Sequence, residues 1–244
     1  MNSILFGNGY WANIVKEKIG RLTNLVAVVD SKSDIDIPDV DIAFVCSSTA
    51  SHYDIIKRCL DKNIKYLFCT KPFTGDYEKA KELFNIAKRK DISIFVDNLF
   101  LFRKEITNIQ VKSMDRISFY WNKPEIRESF FDSLLYHDLY LLLEWGRSDK
   151  WKVTGGHVFD NGLFLSMSNS YQKCCFEYHI QKTNAQQSDK WIIIDNYTLD
   201  LSCPKNDPLE ECIVNMLQGN TDYDLSKKIT LDTLKLMNNI KKQL

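Results

Sequence analysis

Near the start of the chain the residues read Phe6-Gly7-Asn8-Gly9-Tyr10-Trp11-Ala12, a Gly-x-Gly-x-x-Ala spacing. Where such a run leaves a strand and opens a helix, the first glycine permits the tight turn and the second lets backbone approach a pyrophosphate. A small third residue lets helix and strand pack closely. The N–H groups of the first helical turn then face the phosphates. Asp30 stands 21 positions after Gly9, at the end of the expected second strand, where a carboxylate can take two hydrogen bonds from an adenosine ribose. Gly7, Asn8, Gly9, Tyr10, Trp11, Ala12 and Asp30 therefore form a candidate dinucleotide site. The plainer alternative is a glycine turn with a solvated aspartate, but strand, turn, helix, strand and acid arrive in the order that the nucleotide reading requires. Asp30 favours NAD because a carboxylate repels a 2′-phosphate; Lys32 offers a compensating charge that keeps NADP open.

A second set of chemical residues falls at strand ends. The third apolar run ends Cys46-Ser47-Ser48-Thr49 and leads to His52, and the fourth ends Thr70-Lys71-Pro72. In an open parallel sheet the carboxyl ends of the strands line the ligand crevice, so Ser47, Ser48, His52, Thr70, Lys71 and Pro72 join the candidate cofactor residues. For His52, capping or packing is at least as good a reading. A lysine at such an end, desolvated by its ligands, has a lowered pKa and can exchange a proton with a hydroxyl or carbonyl. A cis Lys71-Pro72 bond would turn its side chain into the crevice; the common alternative is a solvated lysine. His137 lies in the apolar run Ser133-Leu134-Leu135-Tyr136-His137-Asp138. A histidine there is more often a hydrogen-bonded core residue than a catalyst, and Ser133, four residues before it, shares its helix face.

These residues need a frame, and the sequence supplies one. Strands at 3–7, 25–30, 41–48, 65–71 and 92–98 alternate with amphipathic helices at 10–19, 51–63 and 75–90, with Ser51 as a plausible helix cap. The pattern predicts a doubly wound α/β unit whose continuously apolar strands are covered on both faces. Beyond residue 100 the chain changes character. A long helix over 130–146 precedes β-rich runs with a turn signal at Asn161-Gly162, and helices at 207–220 and 225–244 close it. This predicts a Rossmann domain over 1–100 and an α+β domain over 101–244 built on a mostly antiparallel open sheet, the closing helices packing back on the first.

Composition narrows the partners. In 244 residues the 32 basic side chains equal the 32 acidic ones, so no strong field recruits nucleic acid or anionic lipid. No segment reaches the roughly 18 apolar residues of a membrane helix, no basic leader precedes an apolar stretch, and a cytoplasmic location is expected. The seven cysteines lack a C-x-x-C pair and read as reduced and structural, with no metal site.

The segments Ile4 to Ala12, Val26 to Asp30, Asp39 to Phe73, Phe95 to Phe102 and Tyr136 to Gly146 resemble, in order and spacing, the glucose-fructose oxidoreductase/inositol dehydrogenase (Gfo/Idh/MocA) family. The resemblance implies a Rossmann domain followed by an α/β domain whose open sheet carries the substrate face and commonly an oligomer interface. It implies NAD(P)-dependent hydride transfer at a carbinol carbon of a sugar or nucleotide sugar. Lys71 takes the position of the family's catalytic lysine, Pro72 that of its frequently cis proline, and His137 that of its active-site histidine. Two departures stand out: Thr70 replaces a glutamate, and Ser133 replaces an aspartate, removing an orienting partner and a charge that raises the histidine's pKa. Asp132 could substitute for that aspartate after a one-residue shift. A binding protein that has kept the scaffold without catalysis, or a reductase of a non-sugar substrate, are the alternatives. Tyr136 and Tyr140 could stack on a sugar, although their helical spacing is commoner in cores.

Overall fold

The computed structural model describes residues 1–30, 36–107, 109, 116–124, 129–146, 150–169, 174–183 and 187–244. Lys32 lies outside the described residues, as do the side chains of Cys174 and Cys175. The chain divides into two compact units, Met1–Leu99 with Pro208–Leu234, and Phe100–Asp207 with Lys235–Leu244.

The first unit is a five-stranded sheet of β1 (Asn2–Phe6), β2 (Asn24–Val29), β3 (Ile42–Val45), β4 (Tyr66–Cys69) and β5 (Ser93–Val96), in the order β2-β1-β3-β4-β5. Every pairing is parallel. Helices α1 (Tyr10–Leu22), α2 (Thr49–Leu60) and α3 (Tyr77–Arg89) provide crossovers. The three central strands are apolar and almost wholly buried, and Phe44, Phe68 and Phe95 sit in register across β3, β4 and β5, with ring centroids 5.4 and 5.8 Å apart. Burying each such ring stabilises the fold by about 1.5–3 kcal/mol. The expectation of two covered faces fails for β2. It is an edge strand whose Val26 and Val28, on one face, are 44% and 36% exposed, so that face is left uncovered. Ser51 is not the cap of α2 either: the helix starts at Thr49 with Ser48 as its cap residue.

The second unit contains α4 (Lys104–Thr107) and a six-stranded sheet of β6 (Arg116–Lys123), β7 (Lys152–Phe159), β8 (Gly162–Asn169), β9 (Cys174–Lys182), β10 (Asp189–Ile194) and β11 (Tyr197–Asp200). Its order is β11-β10-β6-β9-β8-β7, and only β6 and β9 run parallel. The β7–β8 hairpin turns on Asp160-Asn161, one residue earlier than the turn signal, with Phe159 pairing Gly162. The helix expected over 130–146 begins as a π-helical turn, Phe131–Leu135, before α5 (Tyr136–Gly146). α5 is buried against the sheet through Leu139, Tyr140 and Leu142, all fully inaccessible, and through Trp145 stacked on Phe119. Helices α6 (Pro208–Leu217) and α7 (Tyr223–Lys241) close the chain. α6 belongs to the first unit, where Lys18 of α1 reaches Glu210 at 3.5 Å, and α7 contributes to both units.

Candidate functional site

The first unit's chemistry gathers at the carboxyl ends of its parallel strands. With the order β2-β1-β3, the chain reverses direction of winding between β1 and β3, and this is where an open α/β sheet leaves a crevice. Gly7 exits β1 with φ +122°, a conformation that L side chains rarely adopt. A Cβ on it would lie 2.6 Å from the Cys46 carbonyl oxygen, so the loop can rest on the β3 exit only because the residue is glycine. Gly9 caps α1 without a side-chain hydrogen bond, no acid occupies the helix's first turn, and a Cβ on Gly9 would meet nothing within 4 Å. An exposed glycine ahead of an uncapped, acid-free helix N-terminus fits a diphosphate. Ala12, 1% exposed, fills the tight third position. Asn8, Gly9 and Tyr10 are exposed, Trp11 is half-buried, and Asp30 is exposed beyond β2.

Ser47 and Ser48 follow β3, half-buried and exposed respectively, while Lys71 follows β4 and is half-buried. The Lys71–Pro72 bond is cis. The other predicted residues of these loops face inward. Thr70 is 6% exposed and its hydroxyl donates to the Val45 carbonyl at 3.3 Å; Pro72 is buried. His52 is 1% exposed. Its Nε2 lies 2.9 Å from the Ser47 carbonyl oxygen and its Nδ1 lies 3.1 and 3.2 Å from those of Pro72 and Phe73. This histidine braces the β3 and β4 exits against one another, which is the packing alternative to ligand binding.

Sequence reasoning missed Asp97, at the carboxyl end of β5. Its carboxylate accepts the Lys71 backbone N–H at 2.7 Å and a side-chain hydrogen bond from Trp11, so one buried group ties the lysine loop to the glycine loop. Burial pushes this carboxyl up to about 7, against the lowering effect of those hydrogen bonds and of the Lys71 charge. The signal was available: an acid directly after an apolar parallel strand falls on the same edge as Gly7, Ser47 and Lys71.

In the second unit His137 is half-buried and stacks on Phe100, centroids 4.7 Å apart. Its Nδ1 lies 3.2 Å from the Tyr140 hydroxyl, which also accepts the Phe100 backbone N–H at 2.9 Å. Tyr140, one turn on, thus orients the ring where the sequence pointed to Ser133 or Asp132. Ser133 instead donates to the Ser129 carbonyl at 2.7 Å, and Asp132 pairs with Lys241 at 2.8 Å. Tyr136 and Tyr140 are fully buried and present no face for a sugar. Behind the histidine lies an ion pair between Lys190 and Asp138, 3% and 0% exposed in their side chains. Asp138 also accepts the Trp121 indole N–H. The Lys190 ammonium sits 3.8 Å from the Trp121 ring centroid and 5.0 Å from that of Phe100. Desolvation lowers the lysine's pKa to about 7 and raises that of Asp138, with the mutual attraction opposing both shifts. Lys190 shares the buried face of β10 with Ile192, a charge where alternation calls for an apolar side chain.

Residues 15–98 match the family model described as oxidoreductase family, NAD-binding Rossmann fold, of the Gfo/Idh/MocA group. The match takes in Asp30, Lys71 and Asp97 and begins after the glycine loop. An uncharacterized oxidoreductase, YhhX, of Escherichia coli is 40% identical over 57 residues, 23% of this chain and 16% of the relative. Myo-inositol 2-dehydrogenase of Thermotoga maritima is 32% identical over 81 residues, 33% of this chain and 23% of the relative. The matched stretches thus span less than a quarter of these curated relatives. The whole fold is that of solved dehydrogenases: the WlbA (WbpB) dehydrogenase of Thermus thermophilus, in complex with NAD and UDP-GlcNAcA, superposes with a TM-score of 0.82 at 13% identity, covering 99% of this chain and 94% of that one. The family match thus covers the Rossmann segment over residues 15–98, and over its whole length the chain shares a fold with these solved dehydrogenases.

Proposed function

We propose that the protein is an NAD-dependent oxidoreductase acting on a CH–OH group of a sugar or nucleotide sugar. The observation that carries this reading is the convergence of the Gly7–Gly9 loop, Asp30 and Lys71 on the carboxyl edge of one parallel sheet, at its switch point. Gly7 to Ala12 would hold the diphosphate on the α1 N-terminus, and Asp30 the adenosine ribose, with NAD preferred over NADP because of the carboxylate. When bound, NAD would supply the hydride acceptor; the chain supplies position and proton exchange. Lys71, its backbone fixed by Asp97, is the group assigned to exchange the hydroxyl proton. His137, oriented by Tyr140, is the second proton-handling residue. A structural relative solved in complex with UDP-GlcNAcA and another relative named for myo-inositol support a polyhydroxy substrate.

One observation favours a second reading, a binding protein without turnover. Thr70, where the family resemblance has a glutamate, turns its hydroxyl into the sheet and supplies no charge beside Lys71. Purified protein incubated with NAD or NADP and a panel of sugars, polyols and nucleotide sugars separates the two. Reduced nicotinamide should appear by absorbance with at least one of them and fall by at least about a hundredfold in Lys71→Ala, the usual scale of proton-transfer catalysis. Tight NAD binding without turnover on any member of the panel would overturn the enzymatic reading in favour of the binding one.

A further inference from the structure

The end of β6 carries a lysine that faces a second lysine on the neighbouring strand. Lys123 and Lys182 are register partners on the parallel strands β6 and β9. Alternation places both on the sheet face that bears the buried Trp121 and Ile180. Like charges facing across a ladder repel one another, and among the described residues neither ammonium has a carboxylate partner. Lys182 is exposed and Lys123 half-buried. The Lys123 ammonium lies 5.2 Å from the Trp121 ring centroid, and the same ring lies 6.4 Å from His137. Burial lowers the pKa of Lys123.

Lys190 differs in one respect. That lysine also meets Trp121, but Asp138 balances its charge within the core. Partial desolvation of an ammonium costs free energy unless an anion compensates, and at Lys123 no carboxylate among the described residues does so. We propose that Lys123 and Lys182 form an anion-binding subsite beside His137 that takes a carboxylate or phosphoryl group of the substrate. The proposal rests on the reading of His137 as part of the substrate site and sharpens it: the preferred sugar is an acidic or phosphorylated one, and a neutral polyol is a poor ligand. Lysine suits this role as a compact point charge that accepts either anion.

Calorimetric titration of the NAD-saturated protein with D-glucose, D-glucuronate, glucose 1-phosphate and UDP tests it without requiring turnover. At least one anionic probe should bind about tenfold or more tightly than glucose, weaken with added salt, and weaken about tenfold in the double variant Lys123→Gln/Lys182→Gln, with NAD affinity unchanged. Glucuronate as the tight probe identifies a carboxylate site, and glucose 1-phosphate or UDP a phosphoryl site. Equal affinity for glucose and all three anions, or anion affinity unchanged in the double variant, overturns the proposal. Should the double variant fail to fold, exposed Lys182→Gln alone decides: an anion affinity reduced about threefold supports the subsite and an unchanged one overturns it. Because binding is read directly, a protein that captures the anion but turns over no sugar refutes the enzymatic reading and leaves the subsite standing.

Discussion

At the scale of single residues, the informative groups are buried charges at strand ends and on core-facing strand positions. Asp97 is 2% exposed and holds the Lys71 N–H and the Trp11 side chain with one carboxylate. Its carboxyl is raised from 3.8 to about 7, chiefly by desolvation. A raised carboxyl binds its proton more tightly in the folded chain than in the unfolded one, so its contribution to stability is complete at acid pH and is lost as pH rises toward 7. At about 1.4 kcal/mol per pH unit, the loss is on the order of a few kcal/mol. Asp97→Asn abolishes this dependence. Urea denaturation from pH 4 to 8 should therefore show the wild type losing stability relative to the variant across the interval, levelling off above neutrality. Parallel pH profiles for the two proteins would show that Asp97 does not titrate in that window.

At the scale of elements, the turn between β1 and α1 separates two requirements that a glycine motif conflates. Gly7 is demanded by the fold. Its φ is positive, and a methyl group on it would stand 2.6 Å from the Cys46 carbonyl oxygen. Gly7→Ala must therefore distort the β1–β3 junction, at a cost above about 2 kcal/mol by denaturation. Gly9 is not demanded by the fold, since its φ of −81° is ordinary and the space around its Cβ is open. Gly9→Ala should keep the wild-type midpoint within a few degrees, an exposed change costing at most about 0.5 kcal/mol, yet weaken NAD by about tenfold in a fluorescence titration, because the methyl group fills the space that a pyrophosphate needs. Wild-type NAD affinity in Gly9→Ala would remove the glycine loop from the cofactor site. The same distinction explains why His52, at a helix start beside the crevice, serves structure: its ring is consumed by three backbone carbonyls.

At the scale of the whole molecule, the second unit's sheet leaves aromatic surface on one face. Phe164, His179, Tyr120 and Trp191 stand in register across β8, β9, β6 and β10, with His179 and Trp191 stacked on Tyr120 at 4.6 and 5.4 Å. With Phe159, 49% exposed, they line a groove of about 530 Å³. An apolar strip of this kind on a sheet face is the feature that association covers, and a homo-oligomer through it is our proposal. In sedimentation velocity the wild type should run larger than a 28.5 kDa monomer, and Trp191→Glu should shift it to the monomer, since a buried unpaired carboxylate at an interface costs several kcal/mol. A wild-type chain that sediments as a monomer at micromolar concentration rules this face out as a self-association surface. Among the described residues no helix is long and apolar enough to cross a membrane.

By itself the sequence determined what local rules govern. Glycine spacing, apolar runs and helical periodicity placed the five parallel strands, the edge on which Gly7, Asp30, Ser47 and Lys71 lie, and the helix that carries His137. These depend on backbone conformation and on period, which neighbours in sequence encode. Tertiary structure alone decided which side chains answer one another across long separations. Asp97 reaches Lys71 from 26 residues away, Lys190 reaches Asp138 from 52 away, and Lys123 meets Lys182 only because β6 and β9 pair in parallel. It also decided that Tyr140, rather than Ser133, holds His137, because the first turn of the segment is wound as a π-helix and Ser133 bonds back to Ser129. Pairing between distant strands and the desolvation of a charge are properties of the packed chain, and no window of sequence contains them.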